Sequence, residues 1–180
     1  MTKKIDQNKD ILNKLISCLQ YMNLPVKKEV KKDDHVTVYS ENSIGIIKMY
    51  IQTSFFKKHN VLGMCIRFSH GSPEERIPYL YGVINHMNSM LMDVGGFCIH
   101  PVSGEISIRT GFGVPEGRIN GDQFIRTLTR LMCHGCRGFE PIARAVIQDT
   151  PFKEIMRDFL EGMSGKDNGS LCTIKNENLN

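Results

Sequence analysis

Apolar residues recur every three or four positions in long stretches of this chain, which is the spacing of a helix with one buried side. The first stretch predicts a helix over residues 6–23, ended by Pro25. The second predicts a helix that Ser72 caps ahead of Pro73 and that runs to about Asp93. Both helices carry one apolar stripe, so each is expected to pack against a single neighbouring layer.

A third apolar stripe begins after Asn120, which is expected to cap its helix together with Gln123. Pro141 falls inside this stripe and is expected to kink or break the helix, because proline lacks a backbone N–H and clashes with the preceding turn. Residues 151–162 form a candidate for a short extra helix.

Alternating apolar and polar residues, with period two, predict strands between the helices. The segment IGIIKMYIQTSF carries bulky groups on both faces and predicts a central strand, with a turn just before it at Asn42–Ser43. Three or four strands fit residues 26–70 equally well. A hairpin is expected around Val102-Ser103-Gly104, and the glycine-rich segment 111–117 is expected to be a loop. The predicted strands are 26–32, 35–40, 44–55, 61–69, 97–100 and 105–110.

The resulting element order is α-β-β-β-α-β-β-α, in which short turns join clustered strands. This order predicts an α+β fold with an antiparallel sheet of about five strands flanked by three helices. Residues 1–163 are expected to form a single domain. Residues 164–180 are polar and predict a disordered tail.

Composition and charge narrow the classes of protein to which this chain can belong. The 180 residues carry a net charge of +4, and the acidic residues around the lysines of 27–32 largely cancel that run. We therefore do not expect nucleic-acid binding, which relies on uncancelled cations. The first residues lack the apolar core of a secretory signal, and no stretch has the length of a membrane span, so a cytoplasmic protein without membrane contact is expected.

The segment Cys133-His134-Gly135-Cys136 is the strongest candidate for chemistry. Two thiols at this spacing can exchange electrons or bind zinc, but zinc needs about four ligands and no second pair of this kind follows. A reactive pair also favours a helix N-terminus, whereas Cys133 and Cys136 fall late in the predicted third helix. Packing is the simplest interpretation of these thiols, with a redox role as the alternative. No metal or cofactor is expected.

Other residues that could take part in catalysis or ligand binding do not form a recognisable site. The six histidines are scattered, and Gly111-x-Gly113 departs from phosphate-binding patterns. Ten methionines indicate either core filling or an adaptable binding groove. The methionines of interest are Met87, Met90, Met92, Met132 and Met156. The chain is therefore expected not to be an enzyme.

Two asparagines on the second predicted helix have a structural interpretation. Asn88 lies one turn from Ile84 and from Leu91, so it should face inward. A buried amide must find partners, and the backbone of the following hairpin can supply them. Asn85 is one turn earlier and is a candidate for the same role.

The second half of the chain carries a family pattern within residues 73–149. It comprises Asn85-x-x-Asn88, Gly96-Phe97, Glu105-x-x-x-Arg109 and Phe139-x-Pro141-Ile142-x-x-Ala145-Val146-Ile147. This pattern resembles the YbjN-like family of bacterial sensory transduction regulators. The resemblance implies a fold similar to that of type III secretion chaperones, pairing as a homodimer, and structural roles for Asn85, Asn88, Phe97 and Pro141.

The resemblance and the lack of a reactive set favour a non-catalytic protein-interaction module. Such a module would bind an apolar segment of another protein, of unknown identity, in a chaperone-like manner. Two alternatives remain. One is a small-molecule sensor with its ligand between the middle helix and the sheet, and the other is a redox protein using Cys133 and Cys136.

Overall fold

The structure is a computed structural model that describes residues 7–44, 47–90, 95–148 and 150–163. The predicted tail, 164–180, lies outside the described residues. The elements follow in the order α1 (Gln7–Tyr21), β1 (Val26–Lys31), β2 (His35–Ile44), β3 (Ile47–Phe56), β4 (Val61–Gly71), α2 (Ile77–Met90), β5 (Gly96–Ile99), β6 (Glu105–Gly113), α3 (Gly121–Ile147) and α4 (Phe152–Met163). One-turn 3-10 helices lie at 57–59, 74–76 and 115–117.

The strands form one antiparallel sheet in the order β1-β2-β3-β4-β6-β5. The first four strands follow the chain order because short turns join them. The hairpin of β5 and β6 then pairs through β6 with β4, so β5 becomes the far edge. Gly104, with a φ of +64°, makes the tight turn of this hairpin, and an added Cβ there would collide with the carbonyl oxygen of Ser72.

The α+β class and the antiparallel sheet are confirmed, but the expected five strands and three helices are wrong. The structure has six strands and four helices among the described residues. Four strands fill residues 26–71, because the charged turn after β1 separates it from β2. Residues 152–163 form α4, which was only a candidate in the sequence.

One face of the sheet forms the core. Alternate residues of facing strands lie on the same side, so Val38 of β2, Thr53 of β3 and Met64 of β4 share this face. Helices α1, α2 and α3 cover it, and α4 packs on α2 and α3. The sheet contributes Val36, Val38, Met49, Ile51, Phe55, Leu62, Met64, Ile66, Phe68, Phe97, Ile99, Ile106 and Ile108 to the buried cluster.

The opposite face, which we call the open face, carries mostly polar side chains. Tyr39, Gln52, Cys65 and Arg109 form one row across it, and the next row contains Tyr50, Arg67 and Ser107. The four described helices all lie on the other side of the sheet. The open face is therefore the polar side of the sheet, which faces solvent.

Two local predictions are wrong. The turn expected at Asn42–Ser43 is shifted, since β2 pairs with β3 as far as Ile44 opposite Ile47. The segment 111–117 is not simply a loop, because β6 extends to Gly113 opposite Val61. In both places, pairing with a neighbouring strand extends the ladder through residues that favour turns.

The helix ends were predicted with mixed success. Asn120 caps α3, and its Oδ1 accepts a hydrogen bond from the backbone N–H of Gln123 at 3.1 Å. Ser72 caps nothing: its hydroxyl donates to the carbonyl of Pro73, and a 3-10 turn precedes α2. For Pro141 the sequence predicted a kink or a break, and the break is not found, because α3 continues to Ile147. Phe139 and Ile142 are buried on either side of the proline, and the ring of Phe139 stacks on Phe68 of β4 with 4.3 Å between centroids, which holds the helix against the sheet.

Candidate functional site

Helices α2 and α4 expose large apolar side chains on elements that touch each other. Tyr81 and Met90 of α2 are 39% and 40% exposed, and Phe152 and Leu160 of α4 are 39% and 48% exposed. Nine residues separate Tyr81 from Met90, which places Tyr81 about half a turn away, on the other flank of α2. We call the remaining three residues, Met90, Phe152 and Leu160, the α2–α4 surface. The ring of Phe152 contacts His86 of α2 edge-on, with 5.5 Å between centroids. Exposed apolar groups gathered on adjoining elements are typical of a surface that another protein covers.

Helix α4 is held in place by both apolar and polar contacts. Ile155, Met156 and Phe159 are buried on its inner side. Asp158 accepts a hydrogen bond from Nη2 of Arg144 on α3 at 2.7 Å, a distance typical of a charge-assisted bond. Before the helix begins, the hydroxyl of Tyr79 donates to the carbonyl of Thr150 at 2.8 Å. The position of α4 is therefore well determined by its neighbours.

The asparagines of the family pattern have different environments. Nδ2 of Asn88 donates to the carbonyl of Phe97 at 2.8 Å, and its Oδ1 accepts from the N–H of Phe97 at 2.7 Å. This amide therefore pairs with the outer edge of β5, as a neighbouring strand would. Asn85 is exposed on α2, so the inward role considered for it is not found.

Phe97 and Pro141 are both buried, one in β5 and the other in α3. The ring of Phe97 packs so closely on Gly138 of α3 that an added Cβ would lie 2.5 Å from its Cζ. Asn88 and Phe97 thus meet directly, and Phe97 contacts α3 one turn before Pro141. These contacts join α2, β5 and α3.

The two thiols of the C-x-x-C segment face different surroundings. Cys136 is 2% exposed, and its Sγ donates to Sδ of Met49 on β3 at 3.7 Å. Cys133 is half-buried on α3, and neither cysteine takes part in a disulfide. Oxidants can reach Cys136 only if α3 separates from the sheet. Among the described residues, no group of three or more His, Cys, Asp or Glu residues has the arrangement of a metal site.

The methionines divide between the core and the surface. Met87, Met132 and Met156 are buried, whereas Met90 is exposed at the end of α2. Met92 lies outside the described residues. Core filling therefore accounts for most of the methionines in question, and Met90 contributes to the α2–α4 surface.

A polar cavity that sequence reasoning missed lies where β4 bulges away from β6. Register passes from Arg67 opposite Ser107 to Gly71 opposite Glu105, so β4 has more residues than β6 in this interval. The cavity has a volume of about 430 Å³, and Tyr50, Arg67 and Glu105 are among its lining residues. The signal available in the sequence was the opposite charge of Arg67 and Glu105 on two strands. Without the strand register, however, the sequence could not show that these two residues lie close together.

Cys65 lies on the open face between two cations. Burial raises the pKa of its thiol, while Arg109 and Arg67 oppose that rise. A second thiol, the buried Cys18, lines a groove of about 590 Å³ between α1 and the start of α3. Burial also raises the pKa of Cys18, and Lys14 opposes it. Both thiols therefore favour the protonated, unreactive form at neutral pH.

No helix among the described residues is long and apolar enough to cross a membrane.

Compared with known proteins, the chain matches no family model, no curated protein and no solved structure. The relation to the YbjN-like family therefore stays a prediction from the residues quoted above.

Proposed function

We propose that this chain is a non-catalytic protein-interaction module that binds an apolar segment of another protein in a chaperone-like manner. It would act in the cytoplasm as a homodimer, as the resemblance to YbjN-like regulators and type III secretion chaperones implies. The observation that carries the proposal is the α2–α4 surface, where Met90, Phe152 and Leu160 stay exposed on two touching helices.

Leaving these apolar side chains in water is unfavourable. Burying apolar surface contributes roughly 25 cal/mol per Å², so a partner that covers these three large side chains gains appreciable free energy. Helices α2 and α4 are already fixed by Asn88 and by the Arg144–Asp158 pair, so little ordering is needed on binding. An apolar helix or extended segment is the occupant that such a surface fits.

The test replaces one exposed side chain on each helix, in the double variant Met90→Ser plus Leu160→Ser. Tagged protein is recovered from its own cells, and the retained proteins are quantified by mass spectrometry. We expect the double variant to retain at least about tenfold less of the partner than the wild type, because each side chain removed reduces the buried apolar area.

Val102→Ser is the matched control, since Val102 is 84% exposed in the β5–β6 turn, outside the α2–α4 surface. It should retain the partner as the wild type does. Equal retention by the double variant, or loss in the control as well, would contradict the proposed surface. Sedimentation velocity of the same three proteins tests the dimer, and a strict monomer at high micromolar concentration would contradict that part.

A further inference from the structure

The cavity at the β4 bulge contains an arginine with unused hydrogen-bonding capacity. Nε of Arg67 is buried and has no hydrogen-bond partner within the described ranges of the chain. Its Nη1 lies 4.0 Å from Oε2 of Glu105, which is longer than the 2.7–2.9 Å of a charge-assisted hydrogen bond. The guanidinium fork matches a carboxylate geometrically, and Arg67 is still 36% exposed on its side chain.

Glu105 provides an opposite charge in the same cavity. Its side chain is 39% exposed and carries no closer cation than Arg67 in the part of the structure that is described. Tyr50 of β3 and Ser103 of the hairpin turn add hydroxyl groups to the lining. Gly71 pairs with Glu105 in the register, and an added Cβ there would lie 3.3 Å from the carbonyl oxygens of Ser103 and Gly104, so the hairpin turn closes this end of the cavity.

We propose that this cavity binds a free α-amino acid, with the carboxylate on Arg67 and the ammonium group on Glu105. A simple carboxylate would meet Arg67 but would also lie near the negative Glu105. A simple amine would meet Glu105 but would lie near the positive Arg67. A molecule with both groups satisfies both residues, and the volume of about 430 Å³ suits a ligand of that size.

This inference goes beyond the proposed function and does not depend on it. The cavity opens at the polar side of the sheet, whereas the α2–α4 surface belongs to the helical layer. An amino acid bound here would make the module sensitive to a metabolite, at a place different from the space between the middle helix and the sheet. Either proposal can fail while the other holds.

The experiment is a titration of the full-length, ¹⁵N-labelled protein with each of the common L-α-amino acids, followed by amide chemical shifts. We expect at least one amino acid to shift the amides of residues 67–71 and 103–105 in a saturable way. The N-acetyl and C-amide derivatives of that amino acid should each bind at least about tenfold more weakly, since each lacks one charge.

Variants test the two charged residues separately. Arg67→Gln and Glu105→Gln should each weaken binding by about tenfold or more. Glu41→Gln is the matched control, because Glu41 also lies 4.0 Å from a cation, Lys48, but does not line the cavity. The proposal is overturned if no amino acid shifts the cavity amides, or if both capped derivatives bind as well as the free amino acid. The titrations of wild-type protein decide this even if a variant folds poorly.

Discussion

The side-chain amide of Asn88 forms two hydrogen bonds with the backbone of Phe97, at 2.8 Å and 2.7 Å. Since β5 is the edge strand, the amide occupies the place where a further strand would pair. It satisfies one donor and one acceptor, and it joins α2 to the sheet. A single side chain therefore protects part of the sheet edge and positions a helix.

Replacing Asn88 by alanine should lower the free energy of unfolding by about 2 kcal/mol, because both Phe97 groups lose their partner in a partly buried place. Urea unfolding followed by circular dichroism measures the change. Asn85→Ala on the same helix is the control and should stay within about 0.5 kcal/mol of the wild type, since Asn85 is exposed. Similar losses for the two variants would show that the amide pair is not responsible.

The contact of Asn88 with the hairpin illustrates what the sequence could predict. The position of Asn88 on the apolar stripe was enough to expect an inward amide and a backbone partner. The exposure of Asn85 was not predictable in the same way, because the exact rotation of a helix on a sheet depends on residues of other elements, such as Phe97 and Gly138.

The sheet and the cavity could be predicted only in part, because the sequence does not show which residues pair between strands. Periodicity predicted the antiparallel class and most strands, but the turn at Asn42–Ser43 was misplaced because pairing with β3 overrides local turn preference. The cavity between Arg67 and Glu105 depends on the register of β4 against β6, including its bulge. Residues 38 positions apart in the chain give no periodic signal of such proximity.

Two glycines in helices should respond in opposite directions to alanine. A Cβ at Gly138 would lie 2.5 Å from Cζ of Phe97 and 3.1 Å from Cε of Met87, so Gly138→Ala should destabilise the protein by about 1–3 kcal/mol. At Gly82 nothing lies within 4 Å of an added Cβ, so Gly82→Ala should stabilise it by about 0.5–1 kcal/mol. Thermal and urea unfolding of both variants test the pair. Stabilisation by Gly138→Ala would disprove the close packing of α3 on β5.

The ion pair of Arg144 and Asp158 should hold α4 on α3. Asp158→Asn removes the charge while nearly preserving shape, and it should cost about 1–2 kcal/mol, between the values for exposed and buried pairs. Hydrogen exchange is measured by mass spectrometry in Asp158→Asn and in the wild type. The substitution should speed up exchange in α4 more than in the sheet. Glu154→Gln is the control, because its pair with Arg157 is largely exposed at 3.7 Å and should contribute little. Unchanged exchange of α4 in Asp158→Asn would contradict the role of this pair.

Cys65 should react slowly with alkylating reagents, because burial raises the pKa of its thiol and only the thiolate is nucleophilic. Its rate with iodoacetamide should stay below that of a free cysteine, whose pKa is about 8.5, and should still be rising with pH where the free cysteine has levelled off. Arg109 and Arg67 lower this pKa, so Arg109→Ala should raise it further and slow the reaction. Arg118→Ala, an exposed cation outside this cluster, serves as the control and should leave the rate unchanged. Mass spectrometry of the peptide that contains Cys65 follows the modification, and faster alkylation in Arg109→Ala would mean that Arg109 acts chiefly by shielding the thiol from the reagent.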